Sequence, residues 1–287
     1  MDIDLHTHSA ISDGTDTLHQ LVRAAHDAGL DAISLTDHDT MVGVDQAQRL
    51  GSLIGLEVLA GVELSTHVLH DGVERQVHVL GYGCRTDNER LSDLLCDIRQ
   101  ARRDRLPTML AKLAELGMPL TMEEVRAQAA LASSIGRPHV ADAMVARGYV
   151  ADRTEAFDVY LHNGGPADVP RYTAPTASAV NLITAAGGVA VLAHPWGRGN
   201  REVLTPQVIA GLAKDHGLYG IEVDHVDHTQ ADRTQLRQLS HELGLAATGS
   251  SDYHGTGKTR NPLGVFRTAP EVYETMRKQI EERGGQL

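Results

Sequence analysis

Residues able to ligate a metal ion recur at the ends of apolar, strand-like runs, and this recurrence constrains the fold more than any other feature of the chain. The first run leads into His6-Thr7-His8 and then a loop carrying Asp13-Gly14. In a strand, side chains two residues apart share a face, so the two imidazoles point the same way and form a chelating pair. Two solvated histidines at a strand end are the other reading of that motif taken alone. The event then repeats. Ala32–Leu35 runs into His38, Val58–Val62 into Glu63, and Val189–Ala193 into His194. His78 lies in the run Val77-His-Val-Leu80, and Asp252 and His254 follow Ala246–Thr248. Parallel βα units gather functional groups in this way, at the carboxyl ends of their strands and so at one mouth of a barrel.

Between the runs the apolar spacing is helical. Leu18, Leu21, Val22, Ala25 and Ala28 precede Gly29, and a second helix is expected over about Gly43 to Gly51 before a strand Glu57–Glu63. Past Thr176, helices Ala177–Ala186, Thr205–His216 and Gln230–Leu243 alternate with strands Val189–Ala193, Gly220–Val223 and Ala246–Thr248. Seven strands result, one short of the eight of the usual barrel. The rhythm breaks between residues 86 and 174, where leucines recur at helical spacing from Leu91 to Leu116 and Thr121-Met-Glu-Glu124 reads as a capping box. Further helices are expected over Arg137–Arg147 and around Thr154–Leu161. The expected organisation is an α/β barrel formed by residues 1–85 and 175–287, with 86–174 as a helical insertion lying over the site as a lid that recognises substrate.

The 287 residues suffice for a full core, and 41% hydrophobic with 22% charged residues describe an ordinary globular chain. A formal charge of −12 argues against stable binding to DNA, which depends on clustered Lys and Arg, but leaves room for a small anionic substrate. Cys84 and Cys96 form no disulfide framework, the N-terminus lacks the pattern of a secretory signal, and no run is long enough to span a membrane. A cytoplasmic enzyme is expected.

His6, His8, Asp13, His38, Glu63, His78, His194, Asp252 and His254 form the candidate metal set. Imidazole and carboxylate donors without a thiolate suit manganese, zinc or iron. Nine donors exceed one ion, a carboxylate such as Glu63 is the natural bridge between two, and the remaining ligands point to a third.

At these positions the chain resembles the PHP (polymerase and histidinol phosphatase) phosphoesterases, relatives of the amidohydrolases. The matching motifs are His6-Thr-His8 with Ser12-Asp-Gly14, Thr36-Asp-His-Asp39, Gly61-Val-Glu63, His78, Ala193-His-Pro195 and Ser250-Ser-Asp-Tyr-His254. The resemblance implies a distorted seven-stranded (β/α) barrel holding three divalent cations, manganese first, with iron, zinc or magnesium as alternatives. It implies one ion on His6, His8, Glu63 and Asp252, a second on Glu63, His78 and His194, and a third on Asp13, His38 and His254. Glu63, His194 and Asp252 are taken as catalytic residues, with a hydroxide shared by the Glu63-linked pair as nucleophile and the third ion as a clamp on phosphate oxygens.

Within that family the chain looks most like the enzymes that hydrolyse the 3'-phosphate of nucleoside 3',5'-bisphosphates, related forms of which trim short RNA from its 5' end. That resemblance rests on Ile135-Gly-Arg-Pro-His139, Thr36-Asp-His-Asp-Thr40, and Gly220-Ile-Glu-Val with His225 and His228. The implied partners are a small nucleotide, short RNA in the related activity, and no membrane. Arg137, His139, Arg171 and Arg198 are chosen to grip a second phosphate, because a forked guanidinium matches phosphate geometry. Trp196 is chosen to stack on a base, and the candidates for the leaving-group acid are a metal-bound water, His225 and His228. The competing readings are surface salt bridges for the arginines and plain packing for Trp196. Alternatives at the level of function are a histidinol-phosphate-type phosphatase, an amidohydrolase cleaving a C–N bond, and a metal-dependent nucleotide sensor without turnover.

Overall fold

A computed structural model describes residues 1–129 and 132–287. Strands β1 (Ile3–Thr7), β2 (Ala32–Leu35), β3 (Glu57–His70) and β4 (Val73–Tyr82) are followed, after a helical stretch, by β5 (Ala174–Pro175), β6 (Val189–Ala193), β7 (Gly220–Asp224) and β8 (Ala246–Gly249). Hydrogen bonding runs in the order β1, β2, β3, β4, β6, β7, β8, and the short β5 flanks the far half of β3. The barrel closes between β1 and the segment after β8. There the His8 N–H donates to Tyr253 O (2.9 Å), and the Tyr253 N–H returns a bond to His6 O (3.2 Å). This is the α/β barrel of seven principal strands expected from the sequence.

One departure matters for the site. The parallel rhythm is broken by a hairpin: β3 extends to His70, and β4 pairs antiparallel both with β3 and with β6. Its turn is Asp71-Gly72, both in the left-handed region (φ 49° and 77°), which matches the twist of a two-residue hairpin. His78 therefore sits within a reversed strand, opposite Ser65 and Ala193, and is not at a carboxyl end. Asp-Gly is a strong hairpin signal, and it lies in full view between Leu69 and Val73.

Helices α1 (Leu18–Asp27) and α2 (Val44–Ile54) cover the first strands. Thr17 and Gln20 form a reciprocal cap on α1. After β4 come α3 (Glu89–Asp104), α4 (Leu106–Glu115), α5 (Met122–Gln128), α6 (Arg137–Ala146) and α7 (Arg153–Ala156), which runs into a π turn at Phe157–Leu161. Thr121 and Glu124 form the expected box at the start of α5. These helices bury an apolar cluster of their own, including Leu106, Met109, Leu113, Val140, Met144 and Leu161. Helices α8 (Thr176–Ala185), α9 (Pro206–His216) and α10 (Gln230–Leu243) complete the outer layer.

The sequence reading had assigned no element to Pro270–Glu282, which forms α11. Its Tyr273, Met276 and Ile280 are buried with Ile3, Leu5, Tyr82 and Val189, closing the end where the parallel strands begin. Among the described residues no helix is long and apolar enough to cross a membrane.

Candidate metal centre

The ends of β1, β2, β6 and β8, with the middle of β3 and β4, bring all nine candidate ligands together. His6 and His8 project from the end of β1 with their Nε2 atoms 3.1 Å apart. Both nitrogens face the Oε2 of Glu63 (3.4 and 3.2 Å) and the Oδ1 of Asp252 (3.4 and 3.3 Å). The other Glu63 oxygen, Oε1, meets His78 Nδ1 at 2.8 Å and His194 Nε2 at 3.2 Å. On the far side Asp13 lies 3.3 Å from His254 Nε2 and 3.6 Å from His38 Nε2.

Three groups of donor atoms are close enough to share an ion each: His6, His8, Glu63 and Asp252; His38, Glu63 and His78; and His8, Asp13, His38 and His254. These groups differ from the expected partition: His8 joins Asp13, His38 and His254, His38 also joins Glu63 and His78, and His194 stands in none of the three although its Nε2 is 3.2 Å from Glu63 Oε1. His38 Nδ1 is 3.0 Å from Glu63 Oε2, so His38 stands between the Glu63 and Asp13 groups and does not belong to the latter alone.

The surroundings choose the tautomers. His6 Nδ1 is 3.0 Å from Glu222 Oε1, and His254 Nδ1 donates to the Asp252 carbonyl at 2.8 Å. Each bond leaves a bare Nε2 pointing inward, as a metal-ligating imidazole requires. Glu222 was quoted in the sequence only as part of a motif. Completely buried, it also accepts the His194 N–H at 2.7 Å and the Ser250 hydroxyl. Asp37, beside the ligand in Thr36-Asp-His-Asp39, is likewise scaffold. Asp37 accepts from the Ser9 amide (2.8 Å) and from the Ser9 and Ser12 hydroxyls, tying down the loop between His8 and Asp13. Gly14 lets that loop fold back on itself, since a Cβ there would sit 2.5 Å from the His8 carbonyl oxygen.

Three residues at the site adopt positive φ without being glycine: Asp39 (55°), His194 (30°) and Asp252 (55°). Such backbone costs of order 1 kcal/mol or more per residue and persists only where surrounding bonds over-determine it. At His194 and Asp252 it turns a side chain off the strand direction and into the cluster.

Charge at the centre is finely divided. Burial alone would raise the carboxylates, but neighbouring imidazoles at Asp13 and Glu63, and the Lys258 ammonium ahead of His254 and His6 at Asp252, overcome it and hold all three well below the usual range. Burial pushes His194 down to about 3 and His254 to about 4, keeping both neutral. His8 goes the other way: burial opposes its charge, yet Asp252 and Glu63 lift it to about 9. His6 is raised likewise, against burial, by Glu222, Glu63 and Asp252, so a divalent cation meets ionised carboxylates and the neutral imidazoles of His38, His194 and His254, and must displace protons from His6 and His8. Buried atoms left without a hydrogen-bond partner, among them Glu63 Oε2, His8 Nδ1, His38 Nδ1 and His254 Nε2, fit the same reading. The residues present therefore suit divalent cations.

The surrounding residues divide. Arg198 lies 3.1 Å from Asp227 and 3.5 Å from Asp252, at the edge of the cluster. Arg137 donates to Leu161 O and Asn163 Oδ1, both at 2.8 Å, while the Arg171 Nη1 donates to Tyr172 O at 3.2 Å. His225 is fully buried. Its Nδ1 accepts the Asp227 N–H, and its Nε2 faces Asp252 Oδ2 at 3.5 Å.

Three of the expected substrate contacts are engaged within the protein. Both nitrogens of His228 are consumed, Nδ1 by the Val223 carbonyl and Nε2 by the Trp196 N–H, which leaves no proton to deliver. Trp196 packs in the barrel's outer core, its indole N–H bonded to Leu204 O and one face covered by the Arg201 guanidinium at 4.3 Å, so its ring is not free to receive a base. His139 is buried, and its Nδ1 accepts the Gly136 N–H at the start of α6. Lys258 bonds Asp252 Oδ2 at 2.6 Å.

A barrel mouth that gathers carboxylates and imidazoles around Glu63 is the site of a metal-dependent hydrolase. Residues 4–121 match the PHP domain. The chain is 33% identical over 254 residues to the phosphoribosyl 1,2-cyclic phosphate 1,2-diphosphodiesterase of Eggerthella lenta, covering 88% of this chain and 94% of that protein. It is 30% identical over 281 residues to the 3',5'-nucleoside bisphosphate phosphatase of Chromobacterium violaceum, covering 98% and 97%. A crystal structure from Bifidobacterium adolescentis, ascribed to a metal-dependent phosphoesterase, superposes with a TM-score of 0.90 at 32% identity over 96% of both chains. The chain belongs to the PHP family of metal-dependent phosphoesterases.

Proposed function

We propose that the chain removes the 3'-phosphate from nucleoside 3',5'-bisphosphates such as 3'-phosphoadenosine 5'-phosphate, using three divalent cations, manganese first. The observation that carries this reading is the split of Glu63, one oxygen toward His78 and His194, the other toward His6, His8 and His38, beside a separate Asp13–His254 group. His6, His8, Glu63 and Asp252 would hold one ion, Glu63, His78 and His194 a second with His38 in reach, and Asp13, His38 and His254 a third beside His8. Bound ions supply Lewis acidity, which neutralises phosphoryl charge and acidifies water.

The chain's own residues supply the rest. Glu222 and the Asp252 carbonyl fix the tautomers of His6 and His254. Of the two imidazoles considered for the leaving-group proton, only His225 keeps a nitrogen without a hydrogen-bond partner. Arg137, Arg171 and Arg198 serve the phosphates, and the helices of residues 86–174 serve as the lid that excludes water and recognises the nucleotide. The proposed compartment is the cytoplasm, a reading supported by two cysteines that are not paired.

A second reading has a specific observation behind it. The relative of highest quoted identity acts on a cyclic phosphodiester, a bond the same metal set could open. Phosphate release and substrate loss, followed with added manganese, separate the possibilities across nucleoside bisphosphates, nucleoside monophosphates, a phosphoribosyl 1,2-cyclic phosphate, histidinol phosphate, a C–N amide and a short 5'-phosphorylated RNA. The bisphosphate should turn over with the highest kcat/KM. Turnover of another member with the bisphosphate left intact would replace this reading.

A further inference from the structure

Asp252 reaches the cluster from a strained turn, and the bonds that hold the turn come from residues outside the ligand set. Its φ of 55° lies in the left-handed region, which a residue other than glycine keeps only under constraint. On either side the chain is anchored to β1. Asp4, fully buried two residues before His6, accepts the Ser251 N–H through Oδ1 at 3.0 Å and the Gly264 N–H through Oδ2 at 2.8 Å. Tyr253 exchanges backbone bonds with His6 and His8. Asp252 itself, between these anchors, is bridged by Asn261.

Asn261 is 6% exposed and lies in the loop that follows His254. Its Nδ2 donates to Ser251 O at 2.8 Å and to Asp252 O at 3.3 Å. Those carbonyls belong to the peptide planes immediately before and after the Asp252 Cα, so one side-chain amide fixes both. Each partner is an acceptor, and only the nitrogen of the amide can face them.

The consequence for the carboxylate is geometric. Asp252 Oδ1 stands 3.4 and 3.3 Å from the Nε2 atoms of His6 and His8, in the group these residues make with Glu63. Coordination distances tolerate an error of only about 0.2 Å. Relaxation of Asp252 toward negative φ would swing its side chain off the cluster by far more than that.

We propose that Asn261 is a positioning residue of the metal centre: its amide locks Asp252 in the left-handed turn from which the carboxylate joins the ion held with His6, His8 and Glu63. This rests on the metal reading above, and it is independent of which phosphate ester is the substrate.

The test titrates chelator-stripped proteins with manganese by calorimetry. Asn261→Ala should weaken one manganese site about 10- to 100-fold, the loss typical when the outer partner of a ligand is removed, and leave the others within about twofold. The double variant Asn261→Ala/Asp252→Ala should bind no more weakly than Asp252→Ala alone, because the amide acts through that carboxylate. Thr268→Val serves as the structural control. Thr268 is 2% exposed and donates to Gly249 O at 2.9 Å, three residues before Asp252. Its replacement should lower Tm of the metal-free protein, as Asn261→Ala does, yet spare every manganese site. Equal weakening at all sites, additive losses in the double variant, or the same metal loss in Thr268→Val would overturn the proposal. A wild type that takes up no divalent cation would overturn the metal reading as well, whereas a wild type that loads normally beside an Asn261→Ala protein of unchanged affinity would overturn this proposal alone. If Asn261→Ala does not fold, Asn261→Ser, whose hydroxyl can reach at most one of the two carbonyls, is held to the same outcomes.

Discussion

The identity of each side chain at the centre matters less than which of its atoms is left free. Glu222 illustrates this: by accepting a hydrogen bond from His6 Nδ1 it aims His6 Nε2 at the cluster, and by accepting the His194 N–H it holds a strained backbone in place. Glu222→Gln should therefore weaken manganese binding about 10- to 100-fold with little change in fold, as read by calorimetric titration of chelator-stripped protein. Unchanged affinity would remove Glu222 from the site.

Proton and cation also compete for His8, which is held at about 9 in the absence of a cation, chiefly by Asp252 and Glu63 acting against burial. Its folded value lies above the ordinary one, so binding must displace a proton below that point, and apparent metal affinity should climb as pH rises from 6 to 9. The slope should be about tenfold per unit for each proton displaced. Titrations at several pH values check this, and a flat profile would contradict the assignment of His8 as a ligand.

Among elements, the β3–β4 hairpin and the α6–α7 pair carry most of the consequence. The hairpin lets one long strand present Glu63 while its returning partner presents His78, so both ligands of a shared ion come from a single local structure. The helices are latched to the barrel by Arg153, which grips Asp142 of α6 through two bonds (2.5 and 2.6 Å) and donates to the Asp13 carbonyl at 3.0 Å. Arg153→Ala should loosen the Asp13 loop and cost the ion held by Asp13, His38 and His254, while sparing those held through Glu63. Glu63→Ala should lose both of the bridged ions. Metal content by inductively coupled plasma mass spectrometry, alongside circular dichroism to confirm folding, distinguishes the two patterns, and identical loss in both variants would refute the partition.

For the molecule as a whole, the centre concentrates buried charge that folding must tolerate. Cations that bind only the folded state stabilise it by RT ln(1 + [L]/Kd), about 2.7 kcal/mol at a hundredfold excess over Kd, so manganese should raise Tm by several degrees and a chelator should reverse it. The acid limb has its own sign. His194 and His254 are kept neutral in the fold, at about 3 and 4, whereas the unfolded chain would protonate them near 6.5. Their contribution to stability is present above that value and declines as pH falls toward 4, so melts of the metal-free protein should drop over this window.

How much was legible in the sequence follows from how local each feature is. The helix start at Thr121, the apolar spacing of α1 and the ligands carried to strand ends all depend on neighbours a few residues away, so a linear reading finds them, whereas α2 runs past the expected Gly51 to Ile54. Contacts between distant segments escape it. Glu222 meets His6 across 216 residues, and Arg102 meets Asp39 across 63. Trp196 and His228 are chemically apt, yet the indole N–H is spent on Leu204 O, and His228 on the Val223 carbonyl and the Trp196 N–H. The chain alone determined that imidazoles and carboxylates would gather at one barrel mouth, because strand periodicity and βα alternation leave them nowhere else to go. Only the tertiary structure decided which nitrogens stay bare and which polar groups are consumed, because hydrogen bonds and burial are settled between residues that sequence order keeps apart.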